Sequence, residues 1–347
     1  MPNPLEALLA EKQYLLADGA TGTTLFAMGL ESGEAPELWN ETHPDRIRKL
    51  HDDFIDAGAD IILTNSFGGT RHRLKLHHAQ DRVHELNKLA AQIARSAADA
   101  ADRKVIVAGS VGPTGELLEP LGAMTYEEAV DAFAEQIEGL KAGGADVAWI
   151  ETMSAPQEIR AAAAAATRVG LPYTFTASFD TAGRTMMGLA PGDIHGVAEG
   201  LDALPAGIGA NCGVGASDIL ASLLDMSAAN SSATLIVKGN CGIPQFHGTQ
   251  IRYSGTPELM ADYVRLAMDG GARIIGGCCG TSREHLAAMR AALDSHVRAE
   301  RPTVDDIVAR IGPLRNKQAK DSGTAAAETG GRRERRRPRG QIDGQAD

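Results

Sequence analysis

The stretch Ala272-Arg273-Ile274-Ile275-Gly276-Gly277-Cys278-Cys279-Gly280-Thr281-Ser282 decides the fold. Its first four residues form an apolar run that reads as a short buried strand. Two thiols follow at the strand's tip, and Thr281-Ser282 then open a polar-capped helix through Glu284, His285, Leu286 and Met289. Neighbouring side chains on a regular strand point to opposite faces, so adjacent cysteines cannot both look inward there. Between glycines the backbone twists enough to aim both sulfurs at one point, a geometry suited to a soft metal ion. Cys212 supplies a third thiol in a matching context, Gly209-Ala210-Asn211-Cys212-Gly213. Three thiolates would leave a tetrahedral zinc one open position, the mark of a catalytic site. Taken alone, the pair also fits a redox couple or buried filler. The 66 residues from Cys212 to Cys278 match no zinc-finger spacing.

The strand–tip–helix unit recurs along the chain. Strands at 14–17, 59–64, 105–108, 147–150, 173–178, 207–209, 234–237 and 272–275 alternate with helices at 45–57, 80–102, 126–142, 155–169, 192–203, 217–228, 256–269 and from 282. A short helix at 5–13 precedes them. Continuously apolar strands alternating with helices indicate a parallel sheet covered on both sides. Eight units predict an α/β fold, a (β/α)8 TIM barrel with its active site at the C-terminal ends of the strands. Asp18, Ser66, Glu151, Cys212, Cys278 and Cys279 all fall at those ends. A doubly wound open sheet, the competing topology, would string them along a line.

Composition narrows the function. The net charge of −11 conceals an asymmetry, because residues 313–347 hold nine Lys/Arg against five Asp/Glu. The body keeps 25 basic and 40 acidic residues, a charge of −15, and offers no footprint for nucleic acid. Two segments are expected: a barrel over 1–312 and a disordered basic tail over 313–347, with Arg332-Arg333-Glu334-Arg335-Arg336-Arg337-Pro338-Arg339 at its centre. No apolar run reaches the roughly 20 residues that span a bilayer, and the start lacks the pattern of a signal peptide. Four cysteines in 347 residues suit a reducing compartment, the cytoplasm. Expected partners are small molecules and, beyond them, at most further copies of the same chain.

Six motifs in order carry a family resemblance: Asp18-Gly19-Ala20-Thr21-Gly22-Thr23, Thr64-Asn65-Ser66-Phe67, Gly112-Pro113, Glu151-Thr152, Asn211-Cys212 and Gly276–Thr281. From about 12 to 297 the chain resembles the zinc-dependent homocysteine S-methyltransferases. These include the betaine–homocysteine enzymes and the homocysteine module of cobalamin-dependent methionine synthase. The resemblance implies zinc on Cys212, Cys278 and Cys279, with the sulfur of homocysteine in the open position. It implies Asp18 and Glu151 on the substrate's amino group, and the backbone of Gly19, Ala20 and Thr21 with the Ser66 hydroxyl on its carboxylate. Trp39 matches a ring that binds the donor's quaternary ammonium in animal betaine enzymes. Gly68 and Thr152 replace the tyrosines of that pattern, and Tyr253 offers another ring. Cys241, at the seventh strand tip, is expected to be a small filler off the metal in the substrate-bound state, with a second reading in which its thiolate occupies the metal only when homocysteine is absent.

Donor chemistry sets the order of expectations. Glycine betaine comes first, because an onium donor leaves as a neutral amine or sulfide without a general acid. S-methylmethionine or dimethylsulfoniopropionate comes second, and a separate methyl-corrinoid protein third. In that third case the chain is a homocysteine-binding module. A nucleic-acid binder acting through the arginine-rich tail is the remaining class, and the acidic body opposes it.

Overall fold

The computed structural model describes residues 3–316 except 243, 248 and 249. The expected tail from 317 onward lies outside the described residues. Eight parallel strands form the barrel: β1 (Leu15–Leu16), β2 (Ile61–Leu63), β3 (Ile106–Val111), β4 (Val147–Met153), β5 (Tyr173–Ala177), β6 (Gly207–Cys212), β7 (Leu235–Gly239) and β10 (Ala272–Gly277). Between β7 and β10 an antiparallel hairpin is inserted, β8 (Pro244–His247) and β9 (Gln250–Tyr253). The barrel strands run in the order β1-β10-β7-β6-β5-β4-β3-β2. Between β1 and β2 the circle is joined by the bridge Ala17↔Ile61. Asp60 N–H donates to Leu16 O at 2.7 Å and Asp18 N–H to Ile61 O at 3.0 Å across the same seam. Every strand expected from an apolar run is present, and the open sheet is excluded.

Alternation along the strands builds two cores. Leu15, Ala17, Ile61, Leu63, Ile106, Ala108, Val147, Trp149, Ile236 and Ile274 point into the barrel and pack together. Their neighbours Leu16, Ile62, Val107, Ala148, Ile150, Val237 and Ile275 face the helices. The first helix, Pro4–Glu11, adds Leu5, Leu8 and Leu9 to the interior cluster. It closes the end of the barrel away from the strand tips, and Arg273 ties it there by donating to Leu9 O at 2.9 Å.

Among the elements that differ from the sequence reading, beside the inserted hairpin and the helix Thr21–Ala27, are two further helical segments. The segment after β5 is a 3-10 helix, Pro191–Ala198, rather than an α-helix over 192–203. Gly192 and Gly196 fall within it and Gly200 just beyond it, and glycine disfavours a regular helix. A further helix, Val304–Ile311, opens on a capping box of Thr303 and Asp306. Beyond it, the backbone N–H groups of Arg315 and Asn316 donate to the Asp218 carboxylate, so the chain stays fixed to the barrel through Asn316. Among the described residues no helix is long and apolar enough to cross a membrane.

Candidate active site and metal centre

The carboxyl ends of the strands surround a cavity of about 470 Å3. Cys212, Cys278 and Cys279 stand in its wall, and their Sγ atoms all lie within 4.8 Å of one another. Backbone chemistry holds them there. Cys212 ends β6 at φ +60°, a left-handed conformation costly for a residue with a side chain. Cys278 N–H donates to Gly239 O at 2.8 Å and Cys279 N–H to Asn240 Oδ1 at 3.0 Å. The same Asn240 amide donates to Gly213 O at 2.7 Å, so one side chain spans the two cysteine-bearing loops. Gly280 sits at φ +80°, where a Cβ would run into the ring of Tyr253. The Tyr253 hydroxyl lies close enough to the Cys279 sulfur to donate to it.

The thiols oppose one another's ionisation. The hydrogen bond with Cys278 leads the causes that push the Cys212 thiol up to about 12, and the hydrogen bond with Cys212 does the same for Cys279, to about 11. Three sulfurs this close become thiolates together only around a cation, and their softness suits zinc-like metals. The donor set therefore fits a metal ion.

A charged cluster borders the thiols. Lys238, 2% exposed near the end of β7, donates to Asp18 Oδ1 at 2.7 Å. Burial works against its ammonium, but the charges of Asp18 and Glu151 outweigh it and hold the pKa above the ordinary lysine value. Asp18 Oδ2 accepts from Leu63 N–H at 2.7 Å, so both its oxygens are engaged. Glu151 Oε1 accepts from Ser110 Oγ at 2.5 Å. Burial pushes Glu151 above the usual carboxylate range, and Lys238 opposes the shift. Next to it Thr152 lies at φ +61°, where the β4–β5 register slips. Asn211 clamps that turn, accepting from Thr152 N–H and donating to Thr152 Oγ1, both at 2.7 Å.

A model of the homocysteine S-methyltransferase family matches residues 15–293. The chain belongs to the homocysteine S-methyltransferase family. It is 31% identical over 308 residues to a methionine synthase of Mycobacterium tuberculosis, covering 84% of this chain and 25% of that protein. A methionine synthase of Mycobacterium leprae is 30% identical over 302 residues, covering 81% and 24%. The chain thus spans about a quarter of the length of these curated relatives. The metallated form of the homocysteine methyltransferase MmuM from Escherichia coli superposes with a TM-score of 0.69 at 27% identity, over 83% of this chain and 99% of that one.

In this member of the family the barrel gathers most of the residues read from the sequence. Gly19, Ala20, Thr21, Ser66, Glu151 and the three cysteines all line the cavity. Two residues do not: Asp18 is held behind the wall by Lys238 and Leu63, and Trp39 is 3% exposed. The Trp39 ring packs 4.6 Å from the His43 ring and lies under the Arg46 guanidinium at 4.9 Å. Ser66 lines the cavity, but its hydroxyl donates to Ser110 O at 2.8 Å. The Ala20 N–H donates to Thr281 O at 3.0 Å. Cys241 is wholly buried beside Gly255 and is no part of the three-sulfur group. Sequence reasoning assigned no role to Lys238, Asn240 or Asn211. A lone lysine in the apolar run Leu235–Gly239 was the available signal for the first.

Proposed function

We propose that this chain moves a methyl group from a small onium donor to the sulfur of homocysteine, forming methionine, with zinc held by Cys212, Cys278 and Cys279. Glycine betaine or a sulfonium amino acid supplies the methyl group. One observation carries the reading: three converging thiols open on a cavity whose wall includes Glu151 and Lys238. Zinc held there supplies Lewis acidity that lets the substrate thiol lose its proton at neutral pH.

The protein's own groups bind and orient. Asp18, Lys238 and Glu151 bring two carboxylates to one ammonium, so the cluster lacks one positive charge. The α-ammonium of homocysteine supplies it at Glu151, whose carboxylate lines the cavity. Thr21 and Gly22 line the wall at the start of the helix Thr21–Ala27. The N–H groups of a first helical turn have no helical acceptor, and here they receive the substrate carboxylate. Asp18 acts through Lys238 as a positioning residue. As the new S–C bond forms, the donor's C–N or C–S bond breaks onto its heteroatom, and the neutral amine or sulfide leaves without a proton.

The test is purified full-length protein loaded with zinc, given homocysteine and trideuteromethyl-labelled donors, with methionine followed by mass spectrometry. Methionine three mass units heavier is expected. Absence of label with every donor, although homocysteine binds, overturns the onium reading. The similarity to methionine synthases favours a second reading, a homocysteine-binding module fed by a methyl-corrinoid protein. Turnover with methylcobalamin and none with onium donors would select it.

A further inference from the structure

Across the cavity from Cys212 the chemistry changes. Glu37, Phe67, Arg73 and His77 line the wall there, on segments that follow β1 and β2. In the circular strand order β2 stands opposite β6, the strand that ends in Cys212. Glu37 is 6% exposed and lies in the 3-10 turn Pro36–Leu38. Its Oε1 accepts from Gly68 N–H at 2.6 Å, and a Cβ on Gly68 would crowd that oxygen at 2.9 Å. Beyond Gly68 N–H and its own backbone N–H, the Glu37 carboxylate has no hydrogen bond and no ion pair within 4.0 Å among the described residues, although the cavity reaches it. A buried carboxylate with this little support is costly unless a cation joins it.

Arg73 and His77 are close enough for their charges to act on Glu37, against the upward push of burial on its carboxyl. Arg73 is exposed and makes no ion pair among the described residues. Phe67 is the one phenyl, phenol or indole ring in the described wall, too few for an aromatic cage around a quaternary ammonium.

We propose that Glu37 and Arg73 form a charge clamp for the methyl donor, Glu37 facing its onium centre and Arg73 its carboxylate. The donor is then a small zwitterion rather than an uncharged methyl carrier. This rests on the methyl-transfer reading and specifies its second substrate. It also has a kinetic consequence. The onium charge disappears as the methyl group leaves, so Glu37 stabilises the bound donor more than the transition state. Its loss raises the donor KM without lowering kcat, and the product's uncharged nitrogen or sulfur no longer attracts the Glu37 carboxylate.

The test uses zinc-loaded full-length protein, wild type, Glu37→Gln and Arg73→Gln, by calorimetry without homocysteine so that no turnover occurs. The probes are glycine betaine, S-methylmethionine, the uncharged-centre isostere 3,3-dimethylbutanoate and choline, which lacks the carboxylate. Wild type should bind one of the two zwitterions at least tenfold more tightly than either control, and the tighter one identifies the onium class. Glu37→Gln, which can still accept from Gly68 N–H, should erase the preference for the tighter zwitterion over the uncharged-centre isostere and raise donor KM at least tenfold with kcat maintained. Arg73→Gln, at an exposed position, carries the test independently and should erase the preference over choline. Preferences unchanged in both variants overturn the clamp. So does a wild type that binds neither glycine betaine nor S-methylmethionine more tightly than the two controls while homocysteine binds normally. Failure of wild type to bind homocysteine overturns the methyl-transfer reading itself.

Discussion

Lys238→Met isolates the buried pair at the centre of the site. The two side chains are 3% and 1% exposed and meet at 2.7 Å, joining β7 to the end of β1. At an effective dielectric of about 20 their attraction is about 6 kcal/mol, offset by the desolvation both charges suffer. Removing the lysine leaves Asp18 buried with backbone N–H donors alone and no countercharge on either oxygen, so the expected loss of stability is about 3–5 kcal/mol. Asp18→Asn should lose a similar amount by stranding the ammonium. The double variant removes both charges while an amide oxygen still accepts from Leu63, and should return to within about 2 kcal/mol of wild type. Urea unfolding followed by fluorescence reports this, because Trp39 and Trp149 are both buried. Homocysteine affinity should behave differently. Without Lys238 the Glu151 carboxylate loses the charge that opposes its protonation, so the double variant regains stability but not binding. Additive losses, or a single variant within about 1 kcal/mol of wild type, would refute the argument.

Serine at Cys212, Cys278 or Cys279 should abolish stoichiometric zinc by elemental analysis while circular dichroism stays native, whereas Cys241→Ala should keep the metal and cost about 1 kcal/mol. Trp39→Ala should destabilise by about 3–5 kcal/mol in urea, with the KM values of both substrates moving together, because the ring packs against His43 and Arg46. His51 is wholly buried, neither ring nitrogen has a partner, and burial lowers its pKa from 6.5 to about 4. Its folded pKa is depressed, so its contribution is complete above pH 6.5 and is lost as pH falls from there towards 4. Between pH 7 and 5 this amounts to about 2 kcal/mol, and His51→Leu should remove that part of the pH dependence of urea unfolding.

The barrel was legible because each strand is a nearly unbroken apolar run and each polar tip follows it directly. The thiol group was legible for the same reason: Cys212, Cys278 and Cys279 all stand at strand ends, and parallel strands bring their ends to one mouth. The pairing of charges was not legible. Asp18 reads as a substrate ligand until Lys238, 220 positions away, takes one of its oxygens. Trp39 follows the acidic loop in a pattern that suggests a donor-site ring, yet the helix from Pro44 turns Arg46 over it and buries it. Glu37, two residues earlier, looks like a surface glutamate and becomes a cavity carboxylate only because Gly68 admits it. Such contacts depend on which strand ends become neighbours, and local sequence does not encode that.

The central claim is that the three thiols hold zinc with one position reserved for the sulfur of homocysteine. Zinc-edge X-ray absorption with selenohomocysteine in place of homocysteine examines it directly. A selenium neighbour should appear at the metal when the analogue is added, beside three sulfurs from the protein. A metal shell of four sulfurs that selenohomocysteine leaves unchanged would contradict the account.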